Sequence, residues 1–405
     1  MRKLTLIVIV MVTLFALTSV SLAQEAEPFS ARNFGGTDII VNGGFEDATG
    51  WTASSDDGAV VLCTTSTCDV NDKQGPNTGD GFTRLGSAGA DTEASLSQTI
   101  VIPEDHFSVL TFKLWLGDPD LAPGLSPQGY THRDYLDIKI DNTYFAYSDA
   151  SQLTHQYGYT SLVYDLSAYA DGKPHTITFI ASSGMYDEVP SVWSLDDIAL
   201  YVTPATDIIV NGGFETETGQ PSSEGWKLPP GAKVKCNKAN KTLSKEGNCA
   251  LQVKIPHDYI LFTSQKVKDT QLSQTIAAGD ILSMSNFRGV LPSTNGYGST
   301  YMSIKFTYDD GSREKVTLAP QISDVAKDSQ YKGSSRASSV LYHGTINSYL
   351  YALVPKNVTK MKIQLQTYGF SYNYSGNVKL YVDDVKVLHV PRSAAPALLP
   401  LPSAP

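Results

Sequence analysis

The stretch Asp38-Ile39-Ile40-Val41-Asn42-Gly43-Gly44-Phe45-Glu46 recurs letter for letter as Asp207–Glu215, an offset of 169 residues. Two further landmarks follow it in the same order. Leu96–Ile100 (LSQTI) recurs as Leu272–Ile276, and Leu195–Leu200 (LDDIAL) corresponds to Val382–Val387 (VDDVKV). The offset grows from 169 to 176 and then to 187. Retained landmarks with growing offsets describe one domain duplicated in tandem, with loops lengthened in the second copy, because loops accept insertions that core strands do not. The period is that of a whole domain, not of a solenoid repeat.

Working outward, the copies span 38–202 and 207–390, joined by the short link 203–206 and followed by a Pro/Ala-rich tail at 391–405. The first 23 residues carry Arg2 and Lys3, a long apolar run, and small residues at Ser21 and Ala23. This is the pattern of a secretory signal cut after Ala23, with an uncleaved membrane anchor as the rival reading. Residues 24–37 then form an N-terminal linker, and the expected location is extracellular or cell-surface. No second apolar stretch is long enough to span a membrane. The chain of 405 residues is 41% hydrophobic and 18% charged, with a net charge of −10. That composition supports large cores and argues against nucleic acid as a partner.

Inside each copy the pattern is that of strands. SVLTFKLWLG, DYLDIKIDNTYF, HTITFIASSG and TYMSIKFTY alternate, and Gly, Pro, Asn and Asp clusters separate them. An all-β chain of two tandem β-sandwiches, most simply jelly rolls, is the expected fold. The cysteines fall two per copy, and in an oxidising compartment the local pairings are Cys63–Cys68 and Cys236–Cys249. A zinc site is the alternative, with no histidine nearby at ligand spacing.

The opening IIVNGGFE, the following Gly-Trp, the LSQTI strand and the closing Asp-Asp strand together resemble the jelly-roll carbohydrate-binding modules of the galactose-binding-like superfamily, the type that binds xylan, β-glucan and amorphous cellulose. The resemblance covers both copies and is weakest in the middle loops. It implies a structural calcium ion in each domain where the first and last strands meet. The matching acids are Glu46, Asp196 and Asp197, and Glu215, Asp383 and Asp384. Hard Ca²⁺ takes carboxylate and carbonyl oxygens. Strand parity sets Asp196 in phase with Ile198 and Leu200, and Asp383 in phase with Val385 and Val387, hence facing inward.

A sugar site needs aromatic faces with polar groups around them. Trp51, Trp226, Trp115 and Trp193 read as core. The tyrosines are the candidates: Tyr130, Tyr135, Tyr157, Tyr159 and Tyr186 in the first copy, and Tyr297, Tyr301, Tyr342, Tyr368 and Tyr372 in the second. Tyr368 and Tyr372 sit in a Gly/Ser/Asn-rich segment read as a loop or strand edge. HExxH, GxSxG and Gly-rich phosphate-loop motifs are absent, and the paired carboxylates, repeated in both copies, read as structural. The sequence therefore reads as a secreted, non-catalytic protein whose partner is a polysaccharide or cell-surface glycan. An adhesive surface protein that uses the fold without sugar binding is the other reading.

Overall fold

In the computed structural model, residues 36–391 are described, apart from 69–74, 87–91, 118–134, 150–157, 183–191, 240–242, 245–246, 257–258, 268–275, 291–295, 319–334, 339–353 and 372–376. Residues 1–35, which include the expected signal segment, and the tail beyond 391 lie outside them. No helix among the described residues is long and apolar enough to cross a membrane.

Among the described residues the first copy forms eleven strands: β1 (Thr37–Asp38), β2 (Thr52–Ser55), β3 (Leu62–Thr64), β4 (Gly81–Leu85), β5 (Glu93–Val101), β6 (His106–Gly117), β7 (Tyr135–Ile140), β8 (Thr143–Asp149), β9 (Thr160–Asp165), β10 (Pro174–Ser182) and β11 (Val192–Pro204). The second copy forms eleven more: β12 (Thr206–Asp207), β13 (Trp226–Lys227), β14 (Ala232–Cys236), β15 (Cys249–Pro256), β16 (Tyr259–Val267), β17 (Ile281–Val290), β18 (Gly296–Tyr308), β19 (Arg313–Leu318), β20 (Ser335–Ser338), β21 (Val358–Ser371) and β22 (Asn377–Val390). A 3-10 turn, Ser167–Tyr169, follows β9.

Four antiparallel sheets result. In the first copy the orders are β3-β4-β11-β6-β9, with β1 on β11, and β2-β5-β10-β7-β8. In the second they are β14-β15-β22-β17-β20, with β12 on β22, and β13-β16-β21-β18-β19. Adding eleven to each strand number converts one pair of sheets into the other, so the duplication extends to every hydrogen-bonded neighbour. Alternation fills each sandwich from both sheets. Leu96, Phe112, Leu136, Phe179, Trp193 and Leu200 lie in the first core. Leu251, Met284, Ile304, Ile363, Leu380 and Val387 lie in the second.

Repeated residues make repeated contacts. Asp38 Oδ1 accepts from the N–H groups of Ile40 and Leu200, and Asp207 Oδ1 from those of Ile209 and Val387. The indole N–H of Trp51 is donated to the Asn42 carbonyl at 2.9 Å, and that of Trp226 to the Asn211 carbonyl at 3.0 Å. Both tryptophans are buried beside Phe45 and Phe214 respectively, as read from sequence.

One landmark does not correspond. The Gln98 side chain of LSQTI bonds both the N–H and the carbonyl of Val41. The residue that makes the same clamp on Val210 is Gln265 of β16, not Gln274 of the second LSQTI. The offset there is 167, between residues 98 and 265, so the lengthening in the second copy falls after β16. The expected link 203–206 is mostly strand: β11 runs through Pro204, β12 starts at Thr206, and Ala205 between them donates its N–H to the Asp105 carbonyl.

The two sandwiches pack through their six-stranded sheets. Phe107, Val109 and Val163 are buried outside the first core, and Ile281, Leu388 and Val390 outside the second. β6 lies against β22, and the 3-10 turn against β17 and β20. Buried Ser283 donates its hydroxyl to buried Asp165 across this junction.

Candidate functional site

The repeated Asp-Asp pair is a β-bulge. Pairing of β11 with β6 shifts register between Asp196 and Ala199, and pairing of β22 with β17 shifts at the equivalent place. Asp197 and Asp384 have φ of 48° and 47°, left-handed values that a short carboxylate side chain tolerates better than most. The extra residue reverses parity. Trp193 and Leu195 precede the bulge and Ile198 and Leu200 follow it, yet all four lie in the core. Asp196 is therefore out of phase with the core residues before the bulge and shares the outer face with Ser194. The same holds for Asp383 beside Tyr381. This corrects the inward assignment by simple alternation.

Asp196 is nonetheless fully buried, because a loop closes over it. Its Oδ2 accepts from the N–H groups of Asn77 at 2.6 Å and Thr78 at 3.1 Å. Asp197 takes the Asn77 side-chain amide at 2.6 Å and the Thr78 hydroxyl at 2.5 Å. Glu46 holds the other end of the loop through the N–H groups of Asp80 and Gly81. Burial, with the neighbouring Asp197 charge, pushes the Asp196 carboxyl up to about 6, against the loop N–H bonds that lower it. In the second copy Glu215 accepts from the N–H groups of Asn248 at 2.7 Å and Cys249 at 3.1 Å, and Asp384 pairs with Lys386 at 3.5 Å. Of the six expected calcium ligands, Glu46, Asp196 and Asp197 thus hold one loop of the first copy, whereas in the second Glu215 holds the corresponding loop. Among the described residues, no three acidic, histidine or cysteine side chains converge as a metal-binding group.

The outer face beside Asp196 carries rings. Trp115 of β6 stands opposite Ser194 in register, and Lys113 opposite Asp196. Trp115 is half-buried and lies outside the core, contrary to the sequence reading. Tyr159 meets it edge-on at 5.5 Å between ring centroids. The Tyr159 hydroxyl is donated to the Gly75 carbonyl at 2.7 Å. Burial, then the charges of Asp196 and Asp197, push that hydroxyl well above the usual phenol range. Lys113 donates to Ser161 at 2.7 Å on the same face. The second copy has Gly289 opposite Tyr381 where the first has Trp115 opposite Ser194, so the pair of rings is not duplicated.

Of the other tyrosines, Tyr135 is half-buried near the start of β7. Tyr130, Tyr157, Tyr186, Tyr342 and Tyr372 lie outside the described residues. Tyr297 and Tyr301 belong to β18. Tyr368 is not in a loop or at an edge: it belongs to β21, the middle strand of its sheet, paired with Ile260 on one side and Ser299 on the other. Both expected disulfides are formed, Cys63–Cys68 and Cys236–Cys249, the second between directly opposed residues of β14 and β15.

No protein-family model matches the chain, and no curated protein matches it. Among solved structures it is similar to the tandem CBM22-1–CBM22-2 domain of Paenibacillus barcinonensis Xyn10C, over 88% of this chain and 98% of that one, at 15% identity and a TM-score of 0.26. It is also similar to TmCBM61 in complex with β-1,4-galactotriose, over 45% of this chain and 97% of that one, at 14% identity and a TM-score of 0.26. An apo cyclase from Fischerella sp. is similar over 42% of this chain and 98% of that one, at 17% identity and a TM-score of 0.30. At these TM-scores none of the three likenesses bears on function.

Proposed function

We propose that the protein is a secreted, non-catalytic polysaccharide-binding protein whose first sandwich binds sugar on the outer face of its six-stranded sheet, at Trp115 and Tyr159. The observation that carries this reading is the half-exposed Trp115–Tyr159 pair set among Lys113, Ser161, Asn77 and Asp197. Pyranose rings stack on aromatic faces, and amide, hydroxyl and charged groups fix their hydroxyls. The polar groups here are occupied in holding the loop and each other, which suits a rigid binding surface rather than acid–base catalysis. Two disulfides agree with an oxidising, extracellular setting. Calcium belongs to the same proposal. It is supported by the adjacent carboxylates of Asp196 and Asp197 at one end of the loop and Glu46 at the other. Backbone carbonyls would complete the shell.

The test is a pull-down with insoluble xylan and β-glucan, with melting followed on the same samples. Trp115→Ala is expected to weaken retention about tenfold, equivalent to about 1.4 kcal/mol, while melting stays close to that of the parent. Unchanged retention would remove Trp115 from the site. Calcium is expected to raise the melting temperature by mass action, and Asp197→Asn to abolish that rise. A melting curve indifferent to both calcium and chelator would show that the hydrogen bonds alone close the loop.

A further inference from the structure

The five-stranded sheet of the second sandwich carries a row of lysines across its outer face. Met302, Ile304 and Phe306 of β18 and Met361, Ile363 and Leu365 of β21 point into the core, so alternation turns Lys305 and Lys362 outward. The register sets Lys266 of β16 opposite Lys362, Lys362 opposite Lys305, and Lys305 opposite Lys315 of β19. Lys227 of β13 extends the row toward the other edge. Lys227, Lys266, Lys305 and Lys315 are exposed. The Lys362 ammonium is held below the usual lysine range, first by burial and then by the charges of Lys305, Lys266 and Lys227.

Like charges directly opposite one another destabilise a sheet. The row sits in a protein with 41 acidic and 31 basic residues, yet the only acid in these five strands is Glu314, which accepts from the Tyr308 hydroxyl. Lysines commonly guard edge strands against sheet-to-sheet pairing. That accounts for Lys227 and Lys315 but not for Lys266, Lys362 and Lys305, which lie on the three inner strands. The first sandwich shows that the fold does not need them. The equivalent glutamine clamps align Lys227, Lys266 and Lys362 with Thr52, Thr99 and Thr176. Thr99 and Thr176 simply share a hydrogen bond of 2.9 Å.

We propose that this lysine row binds a polyanionic, uronate-bearing polysaccharide laid across the strands of the second sandwich. The inference rests on the polysaccharide-binding reading and adds a ligand class at a second face. Adjacent strands lie about 4.8 Å apart, so four lysines span about 14 Å with one charge per strand. That spacing suits a polymer carrying about one carboxylate per sugar. Duplex DNA packs one charge into about 1.7 Å of its axis and is disfavoured by the net charge of −10. Gln366 on the same face of β21, whose amide donates to Ser303 at 3.0 Å, adds a neutral polar group beside the row.

The test is affinity electrophoresis of the full chain in gels containing polygalacturonate, alginate, neutral xylan or neutral β-glucan, with duplex DNA as a separate arm. The parent is expected to be retarded by the uronate polymers, and less so as salt rises from about 50 to about 200 mM. Lys266→Gln/Lys305→Gln/Lys362→Gln is expected to lose that retardation and to melt no lower than the parent, because repulsion is removed. Equal retardation of the triple variant, or equal retention of DNA, would overturn the inference. Retardation by neutral glycans without any by uronates would overturn the inference and leave the polysaccharide reading standing. Retardation by no glycan would overturn both. Should the triple variant misfold, Lys305→Glu alone, checked by its melting curve, provides the same comparison.

Discussion

Asp207 shows how a single repeated residue sets a pH response. Its Oδ1 is committed to two backbone N–H groups, and burial pushes the carboxyl up to about 7 despite them. The folded protein therefore holds a proton that the unfolded chain releases above about pH 4. Stability from this group is fully present below that value and is lost as pH rises through 7, by at most about 1.4 kcal/mol per pH unit. His175 works in the same direction. Burial alone would lower its pKa, but the carboxylates of Asp141 at 2.6 Å and Asp171 at 2.8 Å raise it overall. Its contribution is complete below about 6.5 and fades as pH climbs through the folded value. The melting temperature is expected to fall from pH 5 to pH 8. Asp207→Asn, which keeps an acceptor oxygen without a charge, is expected to flatten that fall. A variant with the same pH profile as the parent would show that Asp207 is ionised throughout. At this scale the sequence was legible where a residue's role is local. Trp51, Trp226 and the two cysteine pairs do what their positions implied. Trp115 was misread because its neighbours alternate like a core strand, and only the sheet's packing says which face of a strand is covered.

The junction of opening turn and closing bulge is the element that each copy repeats most faithfully. The Gly43 carbonyl accepts from the N–H of Ile198, and the Gly212 carbonyl from that of Val385. A Cβ on Gly43 would lie 1.7 Å from the Ile198 carbonyl oxygen, and one on Gly212 1.9 Å from that of Val385. Gly44 has nothing within 4 Å of the same point. Gly43→Ala and Gly212→Ala are expected to cost about 2 kcal/mol or more, because the new Cβ collides with a backbone carbonyl fixed in the sheet. Gly44→Ala is the control and is expected to be tolerated, with urea denaturation as the measurement. Equal effects at Gly43 and Gly44 would show that the turn adapts. The letters of this element were readable from sequence, but its geometry was not. The bulge between Asp196 and Ala199 is invisible to a period-two count and reverses which face the acids occupy. The second LSQTI misled for a related reason: short polar-apolar strings recur by chance of composition, whereas the clamp on Val210 is made by whichever glutamine the register delivers, here Gln265.

At the scale of the whole molecule, the two sandwiches share one fold and differ in what their faces carry. The rings of Trp115 and Tyr159 belong to the first, and the lysine row to the second. The faces between them are closed against each other around Phe107, Val109, Leu388 and Val390, with Asp165 and Ser283 bonded inside. A contact of this kind couples the unfolding of its two halves. The full chain is expected to melt in one calorimetric transition, and Leu388→Asp, which places a charge in the contact and outside the second core, to split it into two. A single transition in both proteins would show that the contact contributes little. The short link 203–206 already implied that the two copies touch, but not through which faces, because the interface strands alternate like any other. One feature of the wiring reaches further. β1 lies on β11 and β12 on β22, so each sandwich begins and ends on the same edge of the same central strand, and one residue, Ala205, suffices to pass from one to the next. Tension applied along the chain would enter each sandwich through a pair of antiparallel neighbours at a common end, peeling two short ladders open like a zipper rather than loading the full sheet in parallel.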